Sequence, residues 1–329
     1  MKLSAFTVVD VAPDPPEVRP DRLGEVVRLT VAADDAGLSN LWVAEHHFQD
    51  GGTCPSPPVL LGACAAATRR IGLGILVSVL PFHRPIELAE QFAMVDRLSG
   101  GRLRLGVGSG YIPLEFEGFG VDPTTKRERF DRGYDTVLAA LEGREVRDDA
   151  PGAAPVRINV QALQQPHPPV WIAVQRREAI PFVARRGASL ALVPYATVPD
   201  LEELAAQTRE FRSHRPEGSE SEVAAAVHLY VGDRPERARA AFERYLTARL
   251  ATQSTFYRDK VRHDPHHASP AALEAAGFAL FGTAPEVARG LQRYSEAGVD
   301  EVLGLFDFGG LAEAEAIGSV RALAAEFAR

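Results

Sequence analysis

The densest chemistry in this chain lies in Glu45, His46 and His47, followed by Phe48 and the loop Gln49-Asp50-Gly51-Gly52-Thr53. Before them runs Leu41-Trp42-Val43-Ala44, which reads as a short buried strand. An acid beside two imidazoles suits acid–base work, because imidazoles titrate near neutral pH and a carboxylate can orient them. Neighbours on extended backbone point to opposite sides, so one imidazole can face a pocket while the other packs behind it. The plainer alternative is a pair of structural histidines at a strand end. Two further strand ends are polar: Leu80-Pro81-Phe82-His83-Arg84-Pro85 and Gly106-Val107-Gly108-Ser109-Gly110-Tyr111. The second is a glycine-rich turn whose backbone N–H groups can approach a planar or anionic ligand. It precedes a loop rather than a helix, which argues against a dinucleotide fingerprint. Arg127 and Arg129 open a later helix, and Arg176 and Arg177 follow another strand. Guanidinium pairs at such ends suit a phosphate, with solvated surface charges as the alternative.

These groups need a scaffold that gathers strand ends. Strand-like runs cover residues 3–9, 40–44, 71–79, 102–107, 170–174, 188–193, 222–231 and 301–306. Helical patterns cover 21–36, 58–68, 85–98, 128–141, 178–186, 201–214, 235–250 and 285–297. Eight strands alternating with helices predict a (β/α)₈ TIM barrel, in which reactive groups sit at the carboxyl ends of the strands. A doubly wound open sheet is the alternative, although nothing divides the chain into two nucleotide-binding halves. We expect one barrel domain over residues 1–329, with insertions near 143–169 and 251–276. The first insertion is rich in proline, with a strand-like stretch at 156–160 that could form a hairpin.

Composition narrows the partners. Apolar residues make up 46% and charged ones 24%, the profile of a soluble globular protein with ample core. A net charge of −8 without a block of consecutive Lys or Arg argues against nucleic acid and anionic membrane. No run reaches the roughly 18 uncharged apolar residues of a membrane helix, and the opening residues are too short for a signal peptide. Two cysteines, Cys54 and Cys64, fit a reducing cytoplasm.

Three motifs together resemble the bacterial luciferase-like flavin monooxygenases. They are Ala44-Glu45-His46-His47-Phe48, then Leu80-Pro81-x-His83-x-Pro85, then Asp96-x-Leu98-Ser99-x-Gly101-Arg102-x-x-x-Gly106-x-Gly108-x-Gly110. Gln165-Pro166-x-Pro168-Pro169-x-Trp171, Gly282-Thr283-Ala284-Pro285-Glu286 and Gly298-Val299-Asp300 extend the resemblance over nearly the whole chain. It implies a barrel that binds reduced FMN, or a deazaflavin in one branch, at the carboxyl ends of the strands. Glu45-His46-His47-Phe48 favours FMN, since the deazaflavin branch carries Asp-His. The family's catalytic histidine falls on His46, which would orient or protonate the peroxide formed on the flavin, or pass a proton to substrate. Glu45 would orient the His46-His47 pair. A cis non-proline peptide behind the flavin ring falls on Leu76-Val77.

In one place the chain departs from the family. Relatives hold the phosphate with an arginine where this chain has Ser109, and use small residues where it has Gln175-Arg176-Arg177-Glu178-Ala179. Either the site is rebuilt, with Arg176 restoring the charge and Arg127 or Arg129 assisting near Gly108-Ser109-Gly110 and Arg177, or it is absent. The resemblance implies a two-component monooxygenase that uses O2, a separate flavin reductase and a small organic substrate. The alternatives are a deazaflavin-dependent hydride-transfer enzyme and a flavin-binding or cofactor-free scaffold. It also implies a homodimer through the helices at 58–68 and 85–98, where Ala63, Ala65, Ala66 and Ala67 permit close approach. His263, His266 and His267 lie in a polar stretch at 252–270, expected to be a lid; Pro265 breaks the face, and no metal is expected.

Overall fold

The computed structural model describes residues 1–11, 21–148, 152–251, 261–262 and 269–328. Its strands are β1 (Lys2–Thr7), β2 (Asn40–Val43), β3 (Gly72–Val79), β4 (Leu103–Gly108), β5 (Val170–Ala173), β6 (Ser189–Leu192), β7 (Val223–Val231), β8 (Ala279–Gly282) and β9 (Glu301–Leu305). Apolar and β-branched residues dominate them, as burial on both faces of a parallel sheet requires. β1 to β7 pair in chain order, β7 pairs β9, and β9 pairs β1, all parallel. The ring is the closed eight-stranded barrel that the sequence predicts. β8 was not expected. Its four residues pair alongside the last residues of β7, His228 to Val231, outside the ring.

Local signals set the helix limits. Asp21 caps Arg22–Ala36 by accepting from the Gly24 N–H, and Gly37, at φ 80°, ends it in the left-handed conformation that glycine takes without strain. Asp200 caps Leu201–His214 in the same way, through the Glu203 N–H. The expected loop between β4 and residue 125 instead contains a short helix, Pro113–Gly118. The following helix begins earlier than expected, at Lys126. A helix that we did not anticipate, Glu313–Phe327, packs on Arg22–Ala36.

Residues 156–160 do not form a strand. Val146 and Val156 exchange two backbone hydrogen bonds of 2.9 Å as an isolated bridge. The prolines around them lack the donors that a longer ladder needs. Buried Asp96 organises the end of this segment, accepting from the backbone N–H groups of Leu163 (2.7 Å) and Gln164 (3.0 Å). The sequence 252–260 and residues 263–268 lie outside the described residues, and with them His263, His266, His267 and most of the expected lid.

Two barrel features bear on the site. Between Ile75 and Ser78 the register of β3 against β4 shifts, and the Leu76-Val77 peptide there is cis. Gly106 on β4 permits this, since a Cβ would stand 2.1 Å from the Ile75 carbonyl oxygen. At the opposite end of the barrel, Glu301 Oε1 accepts from Ser4 Oγ (2.6 Å), Asn40 Nδ2 (2.8 Å) and Trp42 Nε1 (2.8 Å), joining β9 to β1 and β2.

Candidate active site

The carboxyl ends of the strands surround a cavity of about 1050 Å³. Glu45, His46, Leu76, Val77, Gly108, Ser109, Gly110, Tyr111, Arg127, Gln175 and Arg176 all border it. His47, His83, Arg129 and Arg177, also singled out in the sequence, do not.

Glu45 sits at the centre of the acid–imidazole cluster. Its buried carboxylate accepts from His83 Nε2 (2.8 Å), His47 Nε2 (3.2 Å), Ser78 Oγ (2.9 Å) and the Val79 N–H (3.3 Å). Burial works against the charged form, yet hydrogen bonds from His47 and His83 outweigh it and hold the carboxyl at about 2. Glu45 therefore stays ionised. His46 turns the other way, into the cavity wall, with Nδ1 3.0 Å from Glu115 Oε1. The same oxygen accepts from the His47 backbone N–H at 3.0 Å. Glu115 lies on the unexpected helix Pro113–Gly118, and sequence reasoning missed it.

The chain reverses side between His46 and His47, as extended backbone does, so His47 packs behind the site. Its ring meets Phe119 edge-on at 4.7 Å and Phe48 at 5.6 Å between centroids. His47, expected in the chemistry with His46 and Glu45, lies off the cavity wall and bonds Glu45.

A cationic rim occupies the β4–β5 side. Lys126 lines the cavity and donates to the Gly110 carbonyl oxygen at 3.3 Å. Burial, then the charge of Arg176, pulls its ammonium pKa down. Arg127 lies over the Phe182 ring, 3.7 Å from its centroid, and bonds Asp131. Lys126 and Phe130, one helical turn apart, face inward; Arg129, off that stripe, is exposed. Arg177 is pulled outward by Glu210 (2.6 Å) and Glu203 (3.0 Å) on Leu201–His214. Lys126 takes the place that the sequence reading gave to Arg129.

On the β7 side the wall is phenolic and cationic. Arg249, in the last turn of Pro235–Ala251, donates through Nη2 to the Tyr111 hydroxyl. Tyr195 and Tyr245 bring their hydroxyls within 3.1 Å of each other. Both line the cavity with Arg249.

Residues 1–301 match the family model described as luciferase-like monooxygenase. The chain belongs to the luciferase-like monooxygenases. The protein y4wF of Sinorhizobium fredii is 31% identical to this luciferase-like chain, over 93% of this chain and 91% of its own length. The oxygenase component of the flavin-dependent trigonelline monooxygenase of Acinetobacter baylyi is 25% identical, over 92% and 88%. The crystal structure of monooxygenase RslO1 from Streptomyces bottropensis superposes with a TM-score of 0.84 at 26% identity, over 99% of this chain and 98% of that one. The protein is thus an oxygenating oxidoreductase of a flavin-binding family.

The cavity of this luciferase-like chain fits such a cofactor. Its volume reaches the upper end of the roughly 300–1,000 Å³ of ligand pockets, room for a flavin beside a small molecule. Apolar Leu76, Val77, Ile172 and Val174 offer a surface for a ring system, and Lys126 with Arg176 offers charge for a phosphate.

Proposed function

We propose that the protein is the oxygenase of a two-component system: it takes reduced FMN from a separate reductase, uses O2, and oxygenates a small organic substrate. The observation that carries this reading is that His46, Lys126 and Arg176 line one cavity. When bound, the reduced flavin supplies the electrons that activate O2. Lys126, Arg176 and the Gly108-Ser109-Gly110 turn would hold its phosphate, with Leu76 and Val77 against its ring. Glu115, as a carboxylate, accepts from His46 Nδ1–H, which leaves Nε2 as the nitrogen that exchanges a proton with a ligand. Glu45-His46-His47-Phe48 supports FMN over a deazaflavin.

A titration followed by flavin fluorescence quenching tests the reading. FMN should bind more tightly than a deazaflavin. Arg176→Ala should weaken FMN about 10- to 100-fold, the loss of one charge-assisted bond, and barely change riboflavin. If Arg176→Ala binds FMN as well as wild type, the side chain obstructs rather than clamps, and the cofactor-free scaffold takes over. Tight deazaflavin with weak FMN would favour hydride transfer.

The same reading includes a cytoplasmic homodimer of one-domain chains. Cys54 and Cys64 are buried free thiols, and no helix among the described residues is long and apolar enough to cross a membrane. The helices Pro57–Ala67 and Pro85–Ser99 pack together and leave Val59 75%, Met94 53% and Leu98 63% exposed. Ala63, Ala66 and Ala67 share that open side, whereas Ala65 faces the core. Such an apolar patch on paired helices supports self-association. Light scattering at micromolar concentration should give twice the chain mass for wild type and one chain mass for Val59→Asp with Leu98→Asp. A monomeric wild type would sink the dimer.

A further inference from the structure

We propose that the organic substrate is an acid, and that Arg249 binds its carboxylate beside the Tyr111 hydroxyl. The inference rests on the oxygenase reading and adds the substrate class. The cavity carries two cationic groups on different arcs of the barrel. Lys126 and Arg176 belong to the β4–β5 arc and have a role as the phosphate end. Arg249 belongs to the β7 arc, close enough to His228 on that strand to depress its imidazole pKa, after burial has done most of it.

The setting of Arg249 is that of a recognition group. Its guanidinium carbon lies 5.7 Å from the Tyr111 ring centroid, and its Nη1 is out of contact with solvent. Burial opposes its charge, and the Tyr111 hydroxyl accepts one of its N–H groups. A planar fork of N–H donors beside phenol hydroxyls matches the two oxygens of a carboxylate. Phe6, Val8, Ala44 and Leu305 give the wall an apolar stretch that accepts a hydrocarbon body, while Glu45 and Glu115 border the cavity at His46. Tyr111 also meets His46, ring to ring at 6.3 Å. A molecule anchored at Arg249 therefore presents its body next to His46. The competing role is a clasp that only fixes the Tyr111 loop to the helix end.

Calorimetric titration separates the two. Protein saturated with FMN, which occupies the β4–β5 cations, is titrated with benzoate, octanoate and 2-naphthoate, each against its methyl ester. At least one acid should bind 10-fold or more tightly than its ester. Arg249→Met should weaken that acid about 10- to 100-fold and move the ester less than twofold. Arg249→Lys should recover part of the loss, and Arg129→Ala, at an exposed arginine outside the cavity lining, should leave it unchanged. Should Arg249→Met fail to fold, Tyr111→Phe keeps the ring and should weaken the acid alone by several-fold. Esters binding as well as acids, or an acid preference that survives in the variants, overturns the assignment. If wild type binds no flavin, the oxygenase reading fails by itself; the same titration of the flavin-free protein still decides whether Arg249 selects acids.

Discussion

His46→Ala is expected to lower turnover about 100- to 10,000-fold, the usual cost of losing one positioned proton-transfer group, with flavin affinity changed only a few-fold. The ring is fixed on two sides. Glu115 holds Nδ1 at 3.0 Å, and Gly52 packs so closely that a Cβ there would lie 2.5 Å from the imidazole. Alanine removes the ring at a cavity wall, where a ligand or water fills the space, so the barrel should persist. His47→Ala serves as the contrast. Its ring faces Glu45 and the phenylalanines, so it should lose stability while keeping most of the turnover per folded molecule. Steady-state oxygen consumption with reduced FMN, corrected for folded fraction by circular dichroism, reads both. Turnover of His46→Ala within a few-fold of wild type would remove this imidazole from the chemistry.

Glu45→Gln should destabilise the protein by about 3 kcal/mol at neutral pH, because a carboxyl held near 2 rather than 4.5 favours the folded state by that order. The sign follows from the direction of the shift. A depressed carboxyl contributes fully above its unfolded pKa, and the contribution is lost as pH falls through the folded value. The gap between wild type and variant should therefore narrow below pH 4.5, to roughly 2 kcal/mol by pH 3.5. Urea midpoints at the two pH values measure it. An equal gap at pH 7 and pH 3.5 would mean that shape, not charge, is what Glu45 supplies to Ser78, His47 and His83.

Much of this architecture was legible because periodicity and strand-end chemistry coincide. The eight ring strands announced themselves as apolar runs, and Glu45-His46 stood where β2 ends. β8 escaped because four residues beside a polar stretch carry too little pattern. Glu115 escaped for a related reason: Pro113–Gly118 is shorter than two helical turns, so no stripe marks its inward side. Glu313–Phe327 did carry one, with Ala316, Val320, Leu323 and Ala324 buried at helical spacing. Charge was hardest to read. Lys126, Arg127, Arg129, Arg176, Arg177 and Arg249 look alike in sequence, and only helix phase and the reach of Glu203 and Glu210 sort inward from outward. His46 and His47 posed the same problem in miniature, since alternation says that one faces in but not which.

The carboxylate of Glu301 also bears on how the molecule comes into being. Ser4 donates to it across 297 positions of sequence, and Asn40 across 261. During synthesis β1 and β7 must remain with bare edges until β9 has left the ribosome, and Ser4, Asn40 and Trp42 have no common acceptor before then. Long-range closure of this kind is slow, and unpaired parallel edges invite association between nascent chains. Barrel closure therefore waits on the last ring strand, and the yield of folded protein should depend on how well cellular chaperones guard the half-made ring during that interval.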